Sequence, residues 1–422
     1  MNYKKNFIIV LIILSIFEFF IEIIKKSKDF NKDGNYIGQL GDNITEENKT
    51  KANNAIQINN TIHIGINITK ENNTKDNNTI QSNKTINIIE ENNTKDNNTI
   101  QSNNSIHIGI NIDKKYFYPC LVLLTSLFIN KNPTSIYSIH ILIADDIKEE
   151  NINKIYSLKE KYGKEKINLS FHNMKNDFQK TKYRDTNLLI STATYYRIAF
   201  PSLLPNVDKI IYIDSDVVNF VDLTEMYNLK FKNKTYFMGS LDKIEMIKEL
   251  KSMGINNNKY YMNAGILLMN LKAMREDEIE QKLRNYINSR VLNHHDQTAI
   301  NVLCYNNIEI ISYKYAIFSF KSYESLVLYN NNQSEGYRYN EAELKQAFYE
   351  PTLLHYGGYV KPWHNQEYPK LYREYWWYYA KQSGFYEEIL NNYKFKEENV
   401  EQILKKIPED GGLLKRNYKK LK

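Results

Sequence analysis

Thirteen residues, Glu71 to Asn83, recur letter for letter from Glu91, inside a polar Asn- and Thr-rich tract running from about residue 27 to 104. Such a tract carries too little apolar surface to offset the entropy of ordering its backbone. It reads as a disordered stem over 27–104, so any hydrophobic core has to come from the rest of the 422 residues. N-x-[ST] sequons such as Asn43, Asn77 and Asn97 lie in the stem, and they matter only where a glycosylation machinery meets them. The stem also holds a copy of something useful. Ile62 to Ile68 repeats as Ile106 to Ile112, and only the second copy runs on into a helical pattern, Tyr116 to Phe128. The first folded strand is therefore placed at 106–112.

The two ends differ from the stem. Residues 7–24 are apolar but interrupted by Glu18 and Glu22, with Lys4-Lys5 before them and Lys25-Lys26 after. A span needs about 20 apolar residues and no small-residue cleavage site follows, so 1–26 reads as an uncleaved signal anchor. This predicts a membrane-associated protein, on the cytoplasmic face if the source is bacterial. The far end, 376–422, reads as an aromatic and then basic extension beginning in Tyr375-Trp376-Trp377-Tyr378-Tyr379. That composition suits a membrane interface, and equally a closing helix with a solvated tail.

Between the ends, strand-like and helix-like runs alternate. Strands are predicted over Ser138–Ile143, Ile167–His172, 209–213, Tyr236–Leu241 and Tyr261–Leu271. Helices are predicted over Lys148–Tyr162, Thr194–Pro201 and Glu276–Ser289. Alternation of this kind argues for an α/β fold with a mainly parallel sheet flanked by helices. The net charge of +7 favours anionic ligands without implying nucleic acid. Cys120 and Cys304 both lie in apolar runs and read as buried free thiols.

The chemistry is concentrated after the strand 209–213, where Asp214-Ser215-Asp216 follows an apolar β-branched and aromatic run. Open α/β sheets bind ligands at the carboxyl ends of their strands. Two carboxylates one residue apart can share a hard divalent cation there, its other positions going to phosphate oxygens. A lone D-x-D is also a common polar exit from a strand.

Several motifs accompany it in one order: I-H-I-G-I-N-I-D (106–113), T-Y-Y-R (194–197), G-S-L-D (239–242), Y-M-N-A-G-I-L-L-M-N (261–270), H-D-Q-T (295–298) and H-Y-G-G-Y-V-K-P-W (355–363). As an ordered set this resembles glycosyltransferase family 8, the retaining family that includes glycogenin and bacterial lipopolysaccharide galactosyl- and glucosyltransferases. The resemblance covers 105–375 and implies a GT-A fold, a Rossmann-like mixed sheet, over that domain. It also implies a UDP-sugar donor (UDP-galactose or UDP-glucose), a glycan or lipid-linked sugar acceptor, and Mn2+, with Mg2+ as the alternative. Position by position it assigns the metal to Asp214, Asp216 and His355. Gly109, Asn111 and Asp113 would surround the nucleoside. Arg197, Ser215, Gly358 and Lys361 would hold the rest of the donor, with Asp242 and Asn263 near the transferred sugar. Many relatives read A-x-D-x-N-Y at the first strand, where this chain has Gly109-Ile110-Asn111-Ile112-Asp113-Lys114-Lys115-Tyr116.

The catalytic candidates implied are Gln297, opposite UDP across the anomeric carbon, and Asp296. A neutral amide is a poor nucleophile, which favours front-face attack over double displacement through Asp296. Two readings compete: a non-catalytic sugar-binding surface protein, and a haloacid-dehalogenase-type phosphotransferase. The latter family also begins with D-x-D, but on the first strand of its fold.

Overall fold

The computed structural model describes residues 105–415 apart from 180, 182–190, 233, 243–244, 257–259, 332–337 and 366–370. The anchor expected at 1–26 and the stem expected at 27–104 lie outside the described residues.

A seven-stranded sheet forms the centre, in the order β3-β2-β1-β4-β7-β6-β8. Its strands are β1 (Ser105–Ile112), β2 (Ile136–Ile143), β3 (Ile167–Asn173), β4 (Lys209–Ile213), β6 (Phe237–Leu241), β7 (Met262–Asn270) and β8 (Ile308–Ile310). β1 is parallel to β2 and β4, while β7 runs antiparallel to both β4 and β6, so the sheet is mixed. Alternate residues of β1 explain its layers. Ile106, Ile108, Ile110 and Ile112 are buried in one apolar cluster with Leu121 and Leu124 of the helix Phe117–Asn130. On the opposite face Gly109 lies against Phe200, in contact so close that an added Cβ would stand 2.7 Å from the ring Cε2.

β1 pairs with β2 on one side and β4 on the other, so the chain's connections diverge at the β1–β4 seam. That divergence opens a crevice at the strands' carboxyl ends. Asp113 and Asp214 leave the sheet there, each directly after or one residue beyond its strand.

A second sheet of three strands sits beside this crevice, in the order β5-β10-β9. β5 is Val217–Asn219, β9 is Ile317–Phe318 and β10 is Leu353–His355. β10 runs antiparallel to β5 with His355 opposite Val217, and parallel to β9 with His355 opposite Phe318. None of these short strands is predicted from periodicity.

Several predicted boundaries move for local reasons. The segment expected as a helix over Thr194–Pro201 is a 3-10 helix, Thr192–Ala199, begun by Ser191, whose Oγ accepts from the Ala193 amide. It passes into one α-turn, Phe200–Leu203. β7 stops at Asn270 because that side chain caps the next helix, accepting from the Ala273 amide. The helix expected from Glu276 starts at Ile279, after Glu278 takes a left-handed backbone (φ 52°). Both thiols are buried and free, and burial pushes each up to about 12.

Membrane association is corrected. Among the described residues no helix is long and apolar enough to cross a membrane. The aromatic run is also not an interface: Tyr375, Trp376, Trp377 and Tyr379 are buried in the helix Arg373–Gln382. That helix crosses the boundary expected at residues 375 and 376. Its side chains brace the K-P-W segment, since Trp377 Nε1 donates to the Pro362 carbonyl at 3.0 Å and Trp363 packs on Trp376.

Candidate functional site

Asp214 follows β4, Asp216 precedes β5, and β10 brings His355 alongside them. One potential ligand atom from each lies within 4.8 Å of the others. His355 Nε2 is 3.2 Å from Asp216 Oδ1 and 3.9 Å from Asp214 Oδ2. Two carboxylates and one imidazole suit manganese, which is softer than magnesium and accepts nitrogen. The donor set fits a divalent cation.

Room for this cluster comes from Gly265 on β7. A Cβ there would lie 2.8 Å from Asp214 Oδ2 and 2.9 Å from His355 Nδ1, closer than side chains tolerate. The Gly265 carbonyl also accepts from the Asp214 amide at 2.7 Å. Gly265 stands in the N-A-G motif, yet nothing in the motif tells a close approach from a turn.

Cations hold the cluster from both sides. Lys361, 6% exposed, bonds Asp216 Oδ2 at 2.5 Å and the Tyr356 carbonyl at 3.1 Å. Arg197 bridges two carboxylates, with Nη2 3.0 Å from Asp214 Oδ1 and Nε 3.0 Å from Asp296 Oδ2. Its guanidinium also lies over the Tyr212 ring and donates to the Ala264 carbonyl. Burial works against charge on Asp216, but Lys361 and His355 more than offset it and hold this carboxyl well below the usual range. For Asp214, burial pushes the carboxyl up, Arg197 pulls it down, and its neighbour Asp216 adds to the rise. The two aspartates are thus unequal.

A second network joins Asp242, Asn263 and Gln297. Gln297 Oε1 accepts from the Ala264 amide at 2.9 Å and from Asn263 Nδ2 at 3.0 Å, while Nε2 donates to Asp242 Oδ2 at 2.9 Å. Asn263 Nδ2 donates to the same Asp242 oxygen at 2.9 Å. Asp296, on the helix His295–Leu303 beside Gln297, is 2% exposed and accepts from Thr194 Oγ1 at 2.6 Å.

At the mouth of β1, Asn111 Nδ2 donates to the Ala193 carbonyl at 2.6 Å. Its Oδ1 is buried with no hydrogen-bond partner among the described residues, an acceptor poised for a ligand's donor. Asp113 accepts from Ser191 Oγ at 2.6 Å and from the Tyr116 amide at 3.0 Å. Ser215 Oγ donates to the Asn111 carbonyl at 3.1 Å, tying the two strand ends together.

One cavity of about 630 Å3 is lined by every candidate residue named from the sequence except Gly109. Gly109 is packed under Phe200 instead, so its lack of a side chain serves the core. Gly358, with φ 99°, takes a backbone that side-chain-bearing residues avoid, and it lines the cavity beside Lys361. Unpredicted lining residues include Phe318, Phe320 and Tyr329.

The chain matches the family "Glycosyl transferase family 8" over residues 107–367. It is 27% identical over 198 residues to General stress protein A of Bacillus subtilis, covering 45% of this chain and 65% of that one. It is 30% identical over 206 residues to a putative glycosyltransferase of Haemophilus influenzae, covering 47% and 60%. The chain thus spans less than two thirds of either relative's length. Among solved structures, the galactosyltransferase LgtC in complex with donor and acceptor sugar analogues superposes with a TM-score of 0.54 at 22% identity, over 66% of this chain and 95% of that one. A likeness at that identity speaks for the fold. The family match covers well over half the chain, and the protein belongs to glycosyltransferase family 8.

Proposed function

We propose that this glycosyltransferase is a retaining hexosyltransferase. It moves a hexose from UDP-galactose or UDP-glucose to a glycan or lipid-linked sugar acceptor in surface-polysaccharide synthesis, with manganese, or magnesium in its place. The observation that carries this reading is the convergence of Asp214, Asp216 and His355 within 4.8 Å beside Lys361. A divalent cation bound there supplies positive charge against the diphosphate that leaves.

The chain's own residues account for the rest. Lys361 is raised above its ordinary value, because the attraction of Asp216 outweighs the cost of burying an ammonium. It stays charged and opposes the negative charge that develops on the leaving phosphate. Asn111 Oδ1 is an open acceptor for a donor group of the nucleoside. Asp242, Asn263 and Gln297 form a rigid polar floor for the sugar hydroxyls.

Front-face attack is supported by how the two catalytic candidates are held. Both functional atoms of Gln297 are engaged, and an amide attacks poorly in any case. Asp296 is tied to Arg197 and Thr194, so reaching an anomeric carbon as a nucleophile would leave a buried guanidinium without one of its partners. The acceptor hydroxyl is then deprotonated by the departing phosphate oxygen.

The test is manganese-dependent hydrolysis of UDP-sugars, after a thermal-shift screen identifies the donor that binds. Asp214→Asn is expected to abolish it. Binding of a UDP-sugar without any turnover would favour the non-catalytic sugar-binding alternative.

A further inference from the structure

Three of the chain's eight histidines stand in one row outside the cleft. His107 is on β1, His140 on β2 and His172 on β3. The parallel register sets Gly109 beside His140 and His140 beside Ser170, so the three imidazoles share one face of the sheet with Ser138, Asn168 and Ser170. Parallel sheets ordinarily cover both faces with apolar groups. Here part of that face is polar, and its histidines are only half-buried. His107 Nδ1 is 3.0 Å from His140 Nε2, the rings stacked with centroids 5.3 Å apart. His140 Nδ1 is 2.8 Å from Ser170 Oγ, which also lies 3.4 Å from His172 Nε2.

We propose that His107 Nδ1 and His140 Nε2 are the paired protein ligands of a second divalent cation, zinc or its neighbours nickel and copper, with water completing the shell. Two nitrogens each about 2.0–2.1 Å from one ion stand roughly 2.9–3.4 Å apart, for angles from square-planar to tetrahedral. The observed 3.0 Å falls within that range. A metal-bound imidazole is oriented by donating its other N–H, and Ser170 Oγ takes that role for His140. Without the ion, a proton on His107 Nδ1 closes the same gap as a hydrogen bond; binding moves that proton to Nε2, and the ring stays neutral. Neutral rings are what a metal needs. Burial lowers His107, and burial together with the nearby His107 and His172 pushes His140 down to about 3. None of the three strands holds an acidic residue, so the hard-ion chemistry of the Asp214–Asp216–His355 cluster is missing and imidazole preference selects the ion. His107 precedes Asn111 by four residues along β1, roughly 13 Å, so this ion and one in the cleft bind separately.

Titration of the full chain with zinc, followed by nitrogen NMR of the histidine rings and by calorimetry, tests this. His107 Nδ1 and His140 Nε2 are expected to shift together as zinc is added, while His140 Nδ1 keeps its proton. His107→Asn and His140→Asn should each remove one zinc equivalent, and Ser170→Ala should weaken that equivalent about tenfold, the cost of losing the partner that orients a ligand. His355→Asn should leave the same equivalent in place. A native near-ultraviolet circular dichroism spectrum shows that each variant is folded. If neither ring nitrogen of the native chain moves with zinc, or if both histidine variants bind as many zinc ions as the native chain, the row is a hydrogen-bonded polar face and the second cation site is wrong. Either result leaves the reading of the cleft untouched.

Discussion

Gly265→Ala should disable the metal cluster while sparing the fold. The added methyl would start 2.8 Å from Asp214 Oδ2 and 2.9 Å from His355 Nδ1, against the 3.4 Å at which such contacts become ordinary. Asp214 must retreat by about 0.6 Å, and the His355 ring, whose Cε1 is closer still, by more, both beyond the roughly 0.5 Å within which a working constellation has to be held. His355 cannot retreat freely, because Phe318 is stacked on its ring. Displacing the supports of metal ligands by this much costs about 10- to 100-fold in metal affinity. Stability should fall by at most about 2.5 kcal/mol, too little to unfold the chain. Gly265 is a strand residue without a left-handed backbone, so alanine gains roughly 0.5–1 kcal/mol in the strand against about 1–3 kcal/mol of overpacking. Manganese binding can be followed by calorimetry, and the melting temperature without metal provides the control. Unchanged manganese affinity in a normally folded variant would refute the role assigned to Gly265 and to the three ligands it admits.

Other outcomes follow from particular contacts. Lys361→Met leaves Asp216 buried without its ammonium, so urea unfolding should show a loss of about 3–5 kcal/mol, partly restored by manganese; a variant as stable as the native protein would contradict the pairing. Asp222→Asn should cost roughly 1–2 kcal/mol at neutral pH, because Asp222 accepts from the Asn132 and Thr224 amides and from the Tyr137 hydroxyl. Burial opposes charge on Asp222, but the Thr224 hydroxyl and the Asn132 and Thr224 amides outweigh it, and its carboxyl lies below its ordinary value. Its stabilisation is therefore complete above about pH 4 and shrinks as pH falls below that, so the two unfolding curves should converge in acid. Cys120 and Cys304 should resist a thiol reagent at pH 8 in the folded protein and both react in urea, since burial pushes each up to about 12; fast labelling of the folded chain would show one of them to be accessible.

What could be read from the amino acids was set by length and burial. β4 and β7 are mostly apolar and buried along their length because both faces of the central sheet are covered, and such runs announce themselves, while β1 alternates isoleucine with smaller or polar residues. The carboxylates at their ends followed from the same pattern. The small sheet was illegible. Ile317–Phe318 and Leu353–His355 are too short to show any period, so the register that delivers His355 to Asp216 has no local signature. Glycines misled in both directions. The resemblance places Gly109 at the nucleoside, where the structure has it admit Phe200, and Gly265, which looks ordinary within N-A-G, admits the Asp214 and His355 side chains. Aromatic composition at the far end could not separate an interface from a core, and Trp376 and Trp377 prove to be core.

The bracing of the K-P-W segment by the helix Arg373–Gln382 bears on when the enzyme comes alive. A nascent chain emerges amino end first. Once the helix His295–Leu303 has left the ribosome it owns both aspartates and the Asp242–Asn263–Gln297 network. It lacks His355 and Lys361, and then for a further stretch it lacks the tryptophans and Arg373 that seat them. A chain made only to that point has the candidate cation site without one of its three ligands and without the ammonium beside it, and the helix Arg373–Gln382 completes their setting.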